Sequence, residues 1–197
     1  HWLSVPEVLR HHTRHAETGA SLPAEMLDRL LAARNFDMGF QTVEYLASAL
    51  VDLDLHDGPA PADPLAAEQA TLARIGLPEA IAMRHASPHF LHAFAGDGYS
   101  SGYYAYLWSE VMDADAFAAF EEAGDPFDAD TAARLERWIY SAGGSQDPAA
   151  LYQAFRGRLP GVAALLRKRG LLAEAAEPAP DRAPAALRAD RRRTHPP

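Results

Sequence analysis

Apolar residues recur at three- and four-residue intervals along most of this chain, the spacing of one buried helical face rather than of a strand. Met26, Leu27, Leu30 and Leu31 follow Ser21-Leu22-Pro23, and Phe40, Val43, Ala47 and Leu50 mark a longer helix that ends near His56. The punctuation agrees with that period. Ser4-Val5-Pro6-Glu7 has capping-box spacing with Pro in the first turn, where its missing N–H costs nothing, and predicts a helix to about Thr18, ended by Gly19. Asp63-Pro64 opens a helix to about Ile75, and Pro78 to about His92 reads as helical with an interruption near Pro88. A further helix is predicted through Tyr104–Phe120, stopped by Gly124-Asp125-Pro126. Asp130 reads as the N-cap of Thr131–Ser141, Asp147-Pro148 as the start of Ala149–Phe155, and Pro160 as the start of a last helix ending at Gly170. No alternating strand pattern and no internal repeat is present, so the expected fold class is all-α. Residues 172–197, rich in Ala, Pro, Asp and Arg without periodicity, read as a disordered tail.

Between two of these helical patterns, the run His92 to Tyr106 packs one histidine, four tyrosines and three glycines into fifteen residues. Gly costs about 1 kcal/mol per helical position relative to Ala, so Gly96–Gly102 is not expected to be a stable helix. Glycines let a backbone bend around a ligand, and tyrosine hydroxyls can donate to a developing oxyanion. The plain alternative is a tyrosine-rich helix start packed into a core. Tyr103, Tyr104 and Trp108 fit that alternative, since Tyr104 and Trp108 are four apart and aromatics bury large areas. A glycine-flanked Tyr99 does not fit it.

Composition narrows the functional classes. The 197 residues and 48% apolar content suffice for one packed domain or part of a larger one. The absence of cysteine excludes disulfides and thiolate metal sites and is compatible with a reducing, cytoplasmic setting. A formal net charge of -9 argues against nucleic acid as the main partner. No apolar run approaches the ~20 residues of a membrane span, and no signal peptide is visible. The chain opens on His1-Trp2 rather than Met, which reads as less than a whole translation product.

Other candidate clusters give way to plainer readings. His11 and His15 are four apart on a predicted helix, but the residue after His11 is His12 rather than the Glu a metallopeptidase helix needs, so a solvated surface cluster is expected. Asp52, Asp54 and Asp57-Gly58 lack the glycine and terminal glutamate of a calcium loop and read as an exposed helix end. Asp113 and Asp115 likewise read as exposed polar positions. No G-x-S-x-G elbow and no phosphate-binding loop is present.

Longer motifs point to a family. His89-Phe90-x-His92-x-Phe94, Gly96-x-Gly98-Tyr99, Gly102-Tyr103-Tyr104-x-Tyr106-Leu107-Trp108 and Asp113-Ala114-Asp115-Ala116-Phe117 occur in order. So do Trp2 with Pro6-Glu7, Glu44-Tyr45-Leu46-Ala47, Phe155-Arg156-Gly157-Arg158, Leu165-Leu166 and Arg169-Gly170-Leu171. In these residues the chain resembles the thimet oligopeptidase and peptidyl-dipeptidase family of zinc metallopeptidases, over residues 1–171 and at the C-terminal end of their catalytic domain. Gly96-Asp97-Gly98 and Gly102-Tyr103-Tyr104 lean toward the bacterial peptidyl-dipeptidase (dipeptidyl carboxypeptidase) branch.

The resemblance implies a zincin-type helical catalytic domain acting on short peptides. A zinc ion, held by the two histidines of H-E-x-x-H and a downstream glutamate, would activate water for attack on the peptide carbonyl. By motif position, Tyr106 or Tyr99 would stabilise the oxyanion. His92, Tyr99, Tyr103 and Gly98 would contact substrate, and the glycines of 96–102 would let the tyrosine loop close. This chain contains no H-E-x-x-H. The zinc ligands and general base are therefore expected before residue 1, no metal ligand is expected in this chain, and its partner would be the remaining N-terminal part of the same domain. Two rival readings are a stand-alone helical peptide-binding module without catalysis and a purely structural helical domain.

Overall fold

The computed structural model describes residues 1–172. Among them are nine α-helices and no β-strand, only an isolated bridge between Arg14 and Ser21. The tail expected at 172–197 lies, from residue 173 on, outside the described residues.

Side-chain capping explains three of the nine helix starts. α3 (Met38–His56) and α4 (Pro64–Arg74) are joined by the Asp57-Gly58-Pro59 break. The Asp63 carboxylate accepts from the amides of Leu65 and Ala66, both at 3.0 Å, and Pro64 occupies the first turn of α4. α8 (Pro148–Arg156) starts the same way, with Asp147 accepting from the Ala150 amide at 2.9 Å. α6 (Ala105–Ala123) ends where Gly124 takes the left-handed conformation, φ 76°. α2 (Ala24–Ala33), α5 (Leu91–Phe94), α7 (Ala129–Leu135) and α9 (Ala163–Lys168) complete the set with α1 (Pro6–His12).

Four expectations change. α1 stops at His12 rather than near Thr18, because the Thr13 carbonyl accepts from Leu22 and the His15 amide bonds the Ala20 carbonyl, folding the chain into a hairpin-like turn. The Ser4 hydroxyl does not cap α1 and donates to the His1 carbonyl instead. α7 is capped by Asp128, whose carboxylate accepts from the Thr131 amide at 2.7 Å, not by Asp130, and it passes into a single π-helical turn, Glu136–Tyr140. Between Leu77 and Ala86 the chain is not helical. The buried Glu68 carboxylate accepts from both the amide and the hydroxyl of Ser87 at 2.7 Å, which ties this segment across α4. Only a short turn, Ser87–His89, and α5 follow.

The core falls into two sets of clusters, one about α3 and one about α6. On one side, Ala47 and Val51 of α3 pack with Leu72 of α4, while Ala49 packs with Phe90, Ala93 and Tyr103. On the other, Ala114 and Ala118 of α6 pack with Ala164 and Leu165 of α9, and Ala119 packs with Tyr152 and Phe155 of α8. The N-terminal turn seals α6: the Trp2 indole donates to the Pro126 carbonyl at 2.9 Å, and His1 stacks on Phe117 at 4.6 Å.

Candidate functional site

α5, a short turn at Asp97–Tyr99 and the first turn of α6 place the aromatic side chains of the His92–Tyr106 run on one exposed face. His92 lies at the centre. Its Nε2 is 2.8 Å from the Tyr106 hydroxyl, and its ring lies 4.7 Å from Tyr99 and 5.5 Å from both Tyr103 and Tyr106. Tyr99 is 56% and Tyr106 50% exposed. Tyr103 is buried beneath them, edge-on to Phe90 at 4.8 Å, and forms the floor.

The glycines act differently from the sequence-based expectation. Gly96 is extended at φ 177°, and neither Gly96 nor Gly98 has another group within reach of an added Cβ. The left-handed residue of this loop is Ser101, φ 55°. Gly102 is required for a different reason: a Cβ there would lie 3.1 Å from the Tyr99 carbonyl oxygen. Tyr104 and Trp108, expected in the core, are exposed, Trp108 by 63%. α6 turns Leu107 and Val111 toward α9 and Tyr103 toward α5, which leaves the Tyr104–Trp108 stripe outside.

α3 holds this face from behind. The Tyr45 hydroxyl donates to the Tyr103 carbonyl and accepts from the Leu107 amide. Burial, aided by nearby Tyr103, Tyr106 and Glu110, pushes the Tyr45 phenol up despite the opposing Leu107 N–H, so it stays a donor at neutral pH. Arg84 is held in its charged form chiefly by its hydrogen bonds to Glu44. Asp52 is not the exposed position expected of a helix end. It is fully buried and accepts from the amides of Ser101 (3.2 Å) and Tyr103 (3.0 Å). The local spacing of acidic residues gave no signal for this, because its partners lie 49 and 51 residues later. Asp54 is the exposed one, accepting from Thr71 and Arg74.

Asp115 is the second correction. It is 2% exposed, and it accepts from Arg158 at 2.6 Å, from Tyr152 at 2.9 Å and from Arg156 at 3.2 Å. Arg156 also reaches Glu122, so α6 and α8 are joined by a charged network. Burial and the Asp115 carboxylate push the Tyr152 phenol well above its ordinary value. Asp113 is exposed as expected, with His1 at 2.7 Å.

No group of three or more His, Asp or Glu side chains is placed to hold a metal ion among the described residues. His11 and His15 do not share a helical face, since α1 ends between them, and the His15 Nδ1 accepts from the Glu17 and Thr18 amides. The donor set therefore does not fit a zinc ion. No helix among the described residues is long and apolar enough to cross a membrane.

Comparison with known proteins bears on this aromatic face. The model of the family described as peptidase family M3 matches residues 1–171. An organellar oligopeptidase A of Arabidopsis thaliana is 39% identical over 181 residues, covering 89% of this chain and 23% of the relative. Oligopeptidase A of Escherichia coli (strain K12) is 39% identical over 176 residues, covering 86% of this chain and 25% of the relative. Dipeptidyl carboxypeptidase of Salmonella typhimurium is 35% identical over 176 residues, covering 87% and 25%. The chain thus spans about a quarter of the length of the curated relatives it matches.

Proposed function

We propose, since this chain belongs to peptidase family M3, that residues 1–171 form the substrate-side portion of a peptidase catalytic domain acting on short peptides. The observation that carries this reading is the contact of 2.8 Å between Tyr106 and His92, with Tyr99 against the same imidazole on a solvent-facing surface. Large apolar side chains left outside the fold support it. Leu3 is 83% and Phe36 75% exposed, a surface suited to cover by further parts of the domain.

In this reading Tyr106 and Tyr99 donate to the peptide carbonyl oxygen as it gains negative charge, a role worth about 10²–10³ in rate for one donor. The state of His92 decides whether Tyr106 can do so. When Nε2 carries a proton it donates to the Tyr106 oxygen and frees the phenolic proton for substrate; when Nε2 is bare it takes that proton itself. His92 therefore orients Tyr106 as well as touching the peptide. Tyr103 offers its ring edge as a floor, and Gly98 leaves the backbone open beside Tyr99. A zinc ion would supply an activated water, and the described residues offer no set of ligands to hold it.

The test is binding of short peptides to this chain by calorimetry, with zinc content measured alongside. Tyr99→Phe and His92→Ala are expected to weaken binding at least tenfold, and the chain is expected neither to retain zinc nor to hydrolyse the peptide. Unchanged affinity in both variants overturns the site assignment. One tightly held zinc per chain overturns the placement of the ligands elsewhere.

A further inference from the structure

We infer that Asp52 is the positioning residue of the tyrosine loop: its buried carboxylate sets the path of residues 99–103 and thereby the placement of Tyr99 and Tyr106 about His92. The inference rests on the peptide-binding reading of that face for its purpose, but not for its geometry.

Three donors converge on Asp52. Oδ1 accepts from the Ser101 amide at 3.2 Å and lies 3.0 Å from His56 Nδ1, and Oδ2 accepts from the Tyr103 amide at 3.0 Å. The same His56 nitrogen is 2.8 Å from the Asp52 backbone carbonyl. Both neighbours of Nδ1 are acceptors, so Nδ1 carries a proton. The side chain of Asp52 is 0% exposed. A buried carboxylate is tolerated there because its lone pairs are taken up by fixed donors.

Tyr103 is also held by Tyr45 and Phe90, but the loop before it has few tertiary anchors. Gly96 and Gly98 have no neighbour at the Cβ position, and Tyr99 is mostly in solvent. Ser101 sits in the left-handed region, which a residue with a side chain rarely adopts. In that conformation its amide donates to Asp52, so the carboxylate bonds the strained residue directly.

The frame is α3. Tyr45, Ala49, Asp52 and His56 follow at four-, three- and four-residue steps, so they share one helical stripe. That stripe grips Tyr103 at both ends of its peptide unit, with Tyr45 taking the carbonyl and Asp52 the amide. Val51 and Ala49 anchor the helix in the core on either side. The loop is thus referenced to α3 rather than to its own packing.

The test uses this chain with Asp52→Asn, and Asp115→Asn as a control of equal burial remote from the loop. Asn keeps the shape but turns one acceptor into a donor facing a donor. Amide hydrogen exchange at Ser101 and Tyr103 and the Kd for a short peptide are the readouts. In D52N, protection at those two amides is expected to fall at least tenfold and the peptide to bind at least tenfold more weakly. In D115N, which loosens the α6–α8 network, protection at those two amides falls no further than at other core amides and the peptide affinity stays at the wild-type value. His56→Leu removes one of the three donors at a partly exposed side chain and carries the test if D52N does not fold; a threefold or greater loss of protection at Ser101 is expected. Unchanged protection in D52N, or in H56L where D52N does not fold, overturns the positioning role, as does a loss at Ser101 and Tyr103 in D115N that exceeds the loss at its other core amides. A wild-type chain that binds no short peptide overturns the reading of the face instead, and the exchange data still decide what holds the loop.

Discussion

The Tyr106 hydroxyl and the His92 Nε2 lie 2.8 Å apart although fourteen residues separate them. Tyr106 is half exposed and fills no core cluster. Tyr106→Phe is therefore expected to leave the thermal midpoint unchanged, within the ±0.5 kcal/mol usual for surface substitutions. In a full-length catalytic domain carrying this segment, kcat is expected to fall about 10²–10³-fold. Paired calorimetry and kinetics check this; a loss of stability equal to the loss of rate would refute it.

Gly98 and Gly102 separate two meanings of glycine in one loop. Gly98→Ala meets open space at a φ outside the left-handed region and is expected to fold as the parent does. Gly102→Ala sets a methyl 3.1 Å from the Tyr99 carbonyl and must displace that turn. A fall in thermal midpoint in G102A but not in G98A is the expected outcome.

Asp115 is a structural charge. Arg156, Arg158 and Tyr152 all address its buried carboxylate. Asp115→Ala strands those donors and is expected to destabilise the chain by about 3–5 kcal/mol, the range for breaking a buried ion pair. Urea denaturation measures it directly.

Acid weakens the fold through two other carboxylates. The Thr71 hydroxyl, then Arg74, hold Asp54 below the usual carboxylate value, and Arg156 does the same for Glu122. Each folded-state value lies under its unfolded one. Their contribution is therefore complete above the ordinary carboxylate range, about pH 4, and is lost as the pH falls through the depressed values. Both side chains face solvent, so the effect is small and screened by salt. Asp54→Asn and Glu122→Gln are expected to flatten the acid limb of a thermal-midpoint profile between pH 5 and pH 2 and to leave the neutral region parallel to wild type.

Leu3, Phe36, Leu91 and Trp108 stand out from the surface together with Tyr140. Large apolar side chains left in water favour association where they adjoin. Sedimentation of the isolated chain is expected to show concentration-dependent self-association, relieved by the remainder of the catalytic domain.

The sequence by itself determined the all-α class and most of the helix ends, because those depend on neighbours within a turn. Asp63-Pro64, Asp147-Pro148 and Gly124 act through bonds to amides or carbonyls three or four residues away. The ordered motifs of His92–Trp108 likewise carried the family, which the match over residues 1–171 bears out. Tertiary structure decided what local pattern could not. It ended α1 at His12 by a hairpin-like turn, buried Asp52 and Asp115, and left Tyr104 and Trp108 outside. An aspartate on a helix is polar in every local window. Whether Asp52 faces water or the two amides of Ser101 and Tyr103 depends on chain that returns from about 50 residues away, and only the packed fold brings those donors to it.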